Sequence, residues 1–276
     1  MIVFDKIDPA LIHVVEARYG RMMVLTNDRY LGAAFLRHGE YSEAEVDLWR
    51  QLFPDARKLV ACDIGANIGA HTIPLAGMFG YVWAFEPLPF THRLLTGNVA
   101  LNGLANVEPV RAAVGATRGT IPIPALDYTV PNNYGGFDLR QFADHQGTNP
   151  GLRVPLDEVV PVAHFLKIDV EGMELEVLQG ATRLLTQCRP VLYFEANPEE
   201  GHPKTDGPKQ RELIRWVQGQ GYDCHWHFAP HYNPDNLKGA PPVDEHERTV
   251  VSFNVLAMPT GSRVAFEGLE PIARIP

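Results

Sequence analysis

Asp63-Ile64-Gly65-Ala66-Asn67-Ile68-Gly69 follows the apolar run Val60-Ala61-Cys62 and leads into a helical pattern. Gly65 and Gly69 allow a tight turn and a close approach of backbone to a ligand, and a helix start presents free N–H groups. Asp63 narrows the ligand. A dinucleotide site spaces its glycines G-x-G-x-x-G so that a pyrophosphate rests on the helix start, whereas this turn reads G-x-x-x-G behind an acid. A carboxylate there would repel a pyrophosphate but can hold the ammonium of an amino-acid moiety. The next apolar run, Trp83-Ala84-Phe85, ends on Glu86-Pro87, where a carboxylate is placed to accept the hydrogens of two ribose hydroxyls. Either feature alone is often a plain turn or a solvated charge. As a pair in a βαβ context they specify a cofactor site.

A second group of acids falls at strand ends, where ligands of open α/β sheets bind. Asp169 and Glu171 follow the run His164–Ile168, and Glu195 follows Val191–Phe194. Their period of two would put Asp169 and Glu171 on one strand face, looking into the same cleft. The competing reading is a helix start near Met173 that attracts acids through its dipole. His225 and His227 share a strand face and could ligate a metal beside a carboxylate. Trp226 between them buries the opposite face and leaves these histidines to a helix, solvent or a ligand, so no metal ligand is assigned. His231 lies in a loop that should border the cleft, suited to contact an acceptor or move a proton.

The elements that must position these residues follow from the apolar rhythm. Short strands are expected at Leu59–Ile64, Tyr81–Phe85, Val107–Val110, His164–Ile168, Val191–Phe194, Tyr222–Phe228 and Val250–Ala257. Helices are expected over 70–79, 88–102, 173–187 (interrupted at Gly180) and 209–219. The alternation implies an α/β fold with a mostly parallel, doubly wound sheet and helices on both faces. Residues 1–57 form an N-terminal extension ahead of a main domain over 58–276. Within the extension, 10–38 read as extended pieces with turns at Arg18–Arg21 and Asn27-Asp28, a lead-in outside the core. Ser42 and Glu45 have capping-box spacing for a helix whose apolar face is Val46, Leu48, Trp49, Leu52 and Phe53, ended by Pro54. Residues 116–155, rich in Pro, Gly and Asn, read as a hairpin and loop insertion. With the proline-bearing loop 229–249, they should form the rim of the cleft.

Bulk properties exclude several classes. A hydrophobic content of 45% with 21% charged residues suits a globular protein with a sizeable core. The net charge of −9 argues against a phosphate-backbone binder, so no nucleic-acid partner is expected. Three cysteines without metal or disulfide spacing point to a reducing compartment. Met1–Pro9 has no apolar core of a secretory signal, and no apolar run is long enough for a membrane span, so a cytoplasmic location without a membrane partner is expected.

These residues resemble the FkbM family of S-adenosylmethionine-dependent methyltransferases. The resemblance is carried by Gly39-Glu40-Tyr41-Ser42-Glu43-Ala44-Glu45, the Asp63–Gly69 turn, Phe85-Glu86-Pro87, Asn98 to Asn102 and Ala112-Ala113-Val114-Gly115. It continues through Leu166-Lys167-Ile168-Asp169-Val170-Glu171-Gly172-Met173-Glu174 and Val177-Leu178-Gln179-Gly180-Ala181. It implies a Rossmann-like seven-stranded methyltransferase fold with an antiparallel last strand, and S-adenosylmethionine as cofactor. The implied reaction is O-methylation of a hydroxyl on a sugar or secondary metabolite, with a small-molecule or glycan acceptor. Cofactor contacts are expected from Asp63, Gly65, Asn67, Ile68, Gly69, His71, Thr72, Glu86, Pro87, Ala113 and Asp169. His71 and Thr72 stand where members commonly carry an aromatic residue and a Thr or Ser. Asp169, Glu171, Glu195 and His231 are the catalytic candidates. Glu195 is the preferred base and Glu171 an acceptor ligand, its basicity lowered by the helix start. Two other functions compete: a cofactor-binding scaffold without catalysis, and a nicotinamide-dependent oxidoreductase, which the glycine spacing and Asp63 disfavour.

Overall fold

The computed structural model describes residues 8–142, 148–262 and 268–276. Most of the amino-terminal segment read as non-secretory, and residues 143–147 of the insertion, lie outside the described residues. Among the described residues a single 3-10 turn, Pro9–Leu11, leads into a hairpin in which β1 (Ile12–Ala17) and β2 (Gly20–Leu25) pair antiparallel. After the turn at Asn27-Asp28 it forms a helix, α1 (Leu31–Arg37), where the sequence pattern predicts extended backbone. Asp28 is the reason: its carboxylate accepts from the N–H groups of Tyr30 and Leu31 at 2.9 and 3.1 Å, and Leu31 and Phe35 then bury one helix face. Nor is the extension outside the core. Met22, Val24, Leu25, Leu31 and Phe35 belong to the same buried cluster as Trp49 and Leu75.

Helix α2 (Glu43–Leu52) stops before Pro54 and buries Val46, Leu48 and Trp49. Its start is not a capping box. Ser42 adopts φ +48°, and its hydroxyl donates to the Glu45 carboxylate at 2.7 Å instead of accepting from the helix backbone. Glu45 is thereby held inward on the apolar side.

The chain then runs β3 (Val60–Ile64), α3 (Thr72–Met78), β4 (Tyr81–Phe85), α4 (Pro89–Leu101), β5 (Val107–Val110), β6 (Ala113–Val114), β7 (Gly119–Ile123), β8 (Asn149–Val154) and α5 (Leu156–Val159). It continues β9 (Phe165–Ile168), α6 (Glu174–Gln179), β10 (Val191–Glu195), α7 (Pro208–Gly219), β11 (Tyr222–Pro230), α8 (Glu245–Thr249), β12 (Val251–Pro259) and β13 (Leu269–Pro271). All seven expected strands lie in one sheet of order β13-β11-β12-β10-β9-β3-β4-β5. β5, β4, β3, β9 and β10 are parallel, and β12 runs antiparallel between β10 and β11. The short β13 adds an edge strand that the pattern does not predict. The expected break at Gly180 is present, with α6 ending there and a π-turn following over Leu184–Cys188. The insertion is a hairpin of β7 and β8, with β6 pairing parallel to β8.

Two features of this topology build the site. The chain runs outward from β3 to β5 and returns to β9 on the other side of β3, so a crevice opens at the carboxyl ends of β3 and β9. Side chains also alternate between faces. Ala61 and Phe165 pack with α2 and α3, Cys62 and Leu166 pack on the opposite face, and Asp63 and Lys167 therefore meet beneath α2 and α3. No helix among the described residues is long and apolar enough to cross a membrane.

Candidate active site

A cleft of about 370 Å³ occupies this crevice, within the size range of small-ligand sites. Its first half is built on the glycine turn. The N–H groups of Gly65 and Ala66 donate to the Phe85 carbonyl at 3.0 and 2.9 Å, which locks the turn against the end of β4. Gly65 has φ +83°, and a Cβ there would lie 1.7 Å from the Asp169 carbonyl oxygen, so only glycine lets the turns after β3 and β9 touch. Glu86 is oriented by the same turn: its Oε2 accepts from Asn67 N–H at 3.0 Å and its Oε1 from Leu88 N–H at 2.8 Å. Burial pushes its carboxyl up to about 7 against the lowering effect of those two bonds. Leu88, Ala112, Ala113 and Val114 make an apolar wall beside it. An oriented carboxylate next to an apolar slot and a glycine cradle has the chemistry to hold a ribose and a flat base.

The second half carries the acids. Lys167 is buried, with Nζ 3.2 Å from Asp169 Oδ2 and 3.5 Å from Asp63 Oδ1. Past Ile168 the strand does not persist. The chain turns with Glu171 at φ +55° and Gly172 at φ +96°, held by Glu174, whose carboxylate accepts from the N–H groups of Val170 and Gly172 at 3.2 and 3.1 Å. Arg140 of the insertion clamps this turn by donating to the Gly172 carbonyl at 2.7 Å while pairing with Asp138 and Glu176. Glu171 is thereby turned back to the cleft. Asp169, Glu171 and Glu195 offer one oxygen each within 4.8 Å of one another, a donor set that could also take a hard cation. Burial, then the charges of Asp169 and Glu174, raise the Glu171 carboxyl to about 8. Burial, then Asp169 and Glu171, raise Glu195 well above the usual carboxylate range. This corrects the reading of Glu171 as a group whose charge a helix start stabilises. Helix α6 begins only at Glu174, and two N–H groups ahead of it are taken by the Glu174 carboxylate.

Buried rings close the wall. His71 lies 5.0 Å from Trp49 and 5.8 Å from Tyr41, centroid to centroid, with Nε2 unbonded and 3.9 Å from a Glu45 oxygen. Burial holds His71 well below its ordinary pKa and so neutral, and pushes Glu45 up to about 7. His231 Nε2 lies 2.6 Å from the Ser252 hydroxyl, and burial lowers its pKa. His227 Nδ1 pairs with the Tyr193 hydroxyl at 2.7 Å.

Of the residues singled out by sequence, Gly65, Asn67, His71, Glu86, Pro87, Ala113, Asp169, Glu171, Glu195 and His231 line this cleft. Asp63, Ile68, Gly69 and Thr72 lie behind its wall. The reading of Asp63 as an open ammonium acceptor needs correcting: the residue is fully buried, and Oδ2 accepts from the Thr72 hydroxyl at 2.6 Å while Oδ1 faces Lys167. Of the loop 229–249, His231 lines the cleft, while Asn233, Leu237 and Lys238 clasp Glu40 and the end of α1. The insertion contributes Asn133, Tyr134, Gly135, Phe137 and Leu139. Sequence reasoning misses Tyr41, Glu45, Lys167, Tyr193 and Asn254. A signal existed for Glu45, an acid on the same helical stripe as Leu48, Trp49 and Leu52.

Hexuronic acid methyltransferase AglP of Haloferax volcanii is 32% identical over 154 residues, covering 54% of this chain and 61% of its own. Methyltransferase sdnD of Sordaria araneosa is 28% identical, covering 43% of this chain and 58% of its own. The chain thus spans about three fifths of the length of these curated relatives. The solved FkbM methyltransferase of Methylobacillus flagellatus KT aligns over 73% of this chain and 44% of its own at 20% identity and a TM-score of 0.47. The model of the methyltransferase FkbM domain matches residues 63–224, more than half of the chain, and the chain belongs to that family.

Proposed function

We propose that this protein binds S-adenosylmethionine and methylates a hydroxyl of a sugar or secondary metabolite. The observation that carries the reading is the continuity of one cleft from the oriented Glu86 carboxylate to the converging acids at Asp169, Glu171 and Glu195. The similarity to a hexuronic acid methyltransferase and to a second methyltransferase supports it.

Glu86 would accept the ribose hydroxyls, the Gly65–Asn67 turn would border the nucleoside, and Ala113 and Leu88 would pack on the base. When bound, S-adenosylmethionine supplies an electrophilic methyl on a sulfonium. The acceptor oxygen bonds to that carbon as the carbon–sulfur bond breaks, so alignment supplies much of the rate. The hydroxyl proton must leave. Glu195 is the base in this reading: it ends β10 in the cleft beside Asp169 and Glu171, and its ionised form is more basic than an ordinary carboxylate. Lys167 positions Asp169, and His231 with Ser252 offers a second polar edge.

The test is tritiated methyl transfer from S-adenosylmethionine into a library of hydroxylated acceptors, followed by Glu195→Gln. Turnover should fall by roughly 10²–10⁴ with little change in S-adenosylhomocysteine affinity. Undiminished turnover in Glu195→Gln would remove the base assignment. Cofactor binding without transfer to any acceptor would leave a non-catalytic binding protein.

A further inference from the structure

We propose that the acceptor presents an uncharged, polyhydroxylated face to this cleft, as a neutral sugar or polyol does and a uronate does not. The inference rests on the methyltransferase reading and deepens it.

The acceptor half of the cleft is lined by Glu45, Asp169, Glu171 and Glu195. Against these carboxylates the cleft offers no free cation among its described lining residues. Lys167 is the one Lys or Arg in that lining; its side chain is 4% exposed, and it lies between Asp63 and Asp169. Arg140, which bonds the carbonyl next to Glu171, has its guanidinium engaged with Asp138 and Glu176. His71 and His231 are the remaining basic side chains, and burial keeps both toward the neutral form. A ligand carboxylate entering here would face acids at close range in a low-dielectric site with nothing to pair it.

The same wall is well supplied for hydroxyls. Asn197 and Asn254 offer amides and Ser252 a hydroxyl, while the buried Nε2 of His71 has no hydrogen-bond partner. Carboxyl oxygens spaced as in Asp169, Glu171 and Glu195 can accept from adjacent hydroxyls of one ring. A cationic acceptor gains less than four acids suggest, because Asp169 already pairs with Lys167 Nζ at 3.2 Å and one Glu45 oxygen already accepts from Ser42 at 2.7 Å and Asn254 at 3.3 Å.

The experiment uses the full chain saturated with S-adenosylhomocysteine and titrates matched pairs of methyl hexosides and methyl hexuronides in the gluco, galacto and manno series. It includes 2-amino analogues and is run with chelator and again with magnesium. The tightest ligand should be a neutral hexoside, at least tenfold tighter than its uronate, and Glu171→Gln should narrow that gap. A uronate equal or superior to its neutral partner overturns the proposal, as does an amino sugar bound tenfold tighter than its hydroxyl counterpart. Uronate binding that appears only with magnesium overturns it by making the three acids a metal site. Absence of binding by every neutral member also overturns it. Failure to bind S-adenosylhomocysteine shows itself before any sugar is added and strikes the methyltransferase reading as well, whereas a reversed preference on loaded protein strikes this proposal alone.

Discussion

Glu86 couples cofactor binding to pH, and the size of the effect follows from its surroundings. Its carboxyl is buried, is raised to about 7, and already accepts two backbone N–H bonds. A carboxylate has about four lone-pair sites, so two remain for ribose hydroxyls, but a protonated Glu86 would lose part of that capacity. With the carboxyl near 7, roughly a tenth is ionised at pH 6 and roughly nine tenths at pH 8. Affinity for the nucleoside should therefore rise by up to about tenfold over that interval, or ~1.4 kcal/mol. In the unliganded fold the Glu86 contribution runs in the opposite sense. A raised carboxyl contributes stability that is complete below its ordinary value near 4.3 and is lost as pH rises through about 7. Glu45 and Glu174, each also raised to about 7 by burial, act in the same direction. 5′-Methylthioadenosine is the suitable probe, since it carries ribose and adenine without a group that titrates between pH 6 and 8. Calorimetric titrations at pH 6, 7 and 8 should show the rise. Glu86→Gln should bind weakly at every pH, with no slope. A flat affinity in the native protein, or an equal slope in Glu86→Gln, would refute the reasoning.

Lys167→Met removes the cation shared by Asp63 and Asp169 and should cost about 3–5 kcal/mol in urea unfolding, because a fully buried carboxylate loses its partner. Adding Asp63→Asn should recover part of the loss, and a single-variant cost below about 1 kcal/mol would show that the pair is not what holds β3 to β9 at this point. Gly65→Ala forces the turns after β3 and β9 apart, since the new Cβ would lie 1.7 Å from a carbonyl oxygen. The melting midpoint should fall and 5′-methylthioadenosine affinity should drop by at least about tenfold (~1.4 kcal/mol); native affinity in this variant would contradict the turn geometry.

The strands were readable because a sheet buried on both faces demands short apolar runs, and β3, β4, β9 and β10 each satisfy that demand locally. Helix α1 was not, because its start depends on the Asp28 carboxylate bonding the N–H groups of Tyr30 and Leu31, which leaves little trace in a periodicity dominated by the preceding hairpin. The positions of the acids could be read from strand ends, but their partners could not. Whether Asp63 faces a ligand or a lysine is decided by the register that sets Asp63 opposite Lys167, and register between β3 and β9 is a property of the assembled sheet. Glu171 carries the same point into chemistry. From the sequence it precedes a helix and should be easy to ionise. In the fold it sits in a left-handed turn among Asp169, Glu174 and Glu195, with the neighbouring N–H groups already bonded, and it becomes hard to ionise. Residue type therefore locates a charge, while burial and neighbours determine whether it is present at neutral pH, and in this cleft they raise Glu171 and Glu195 alike.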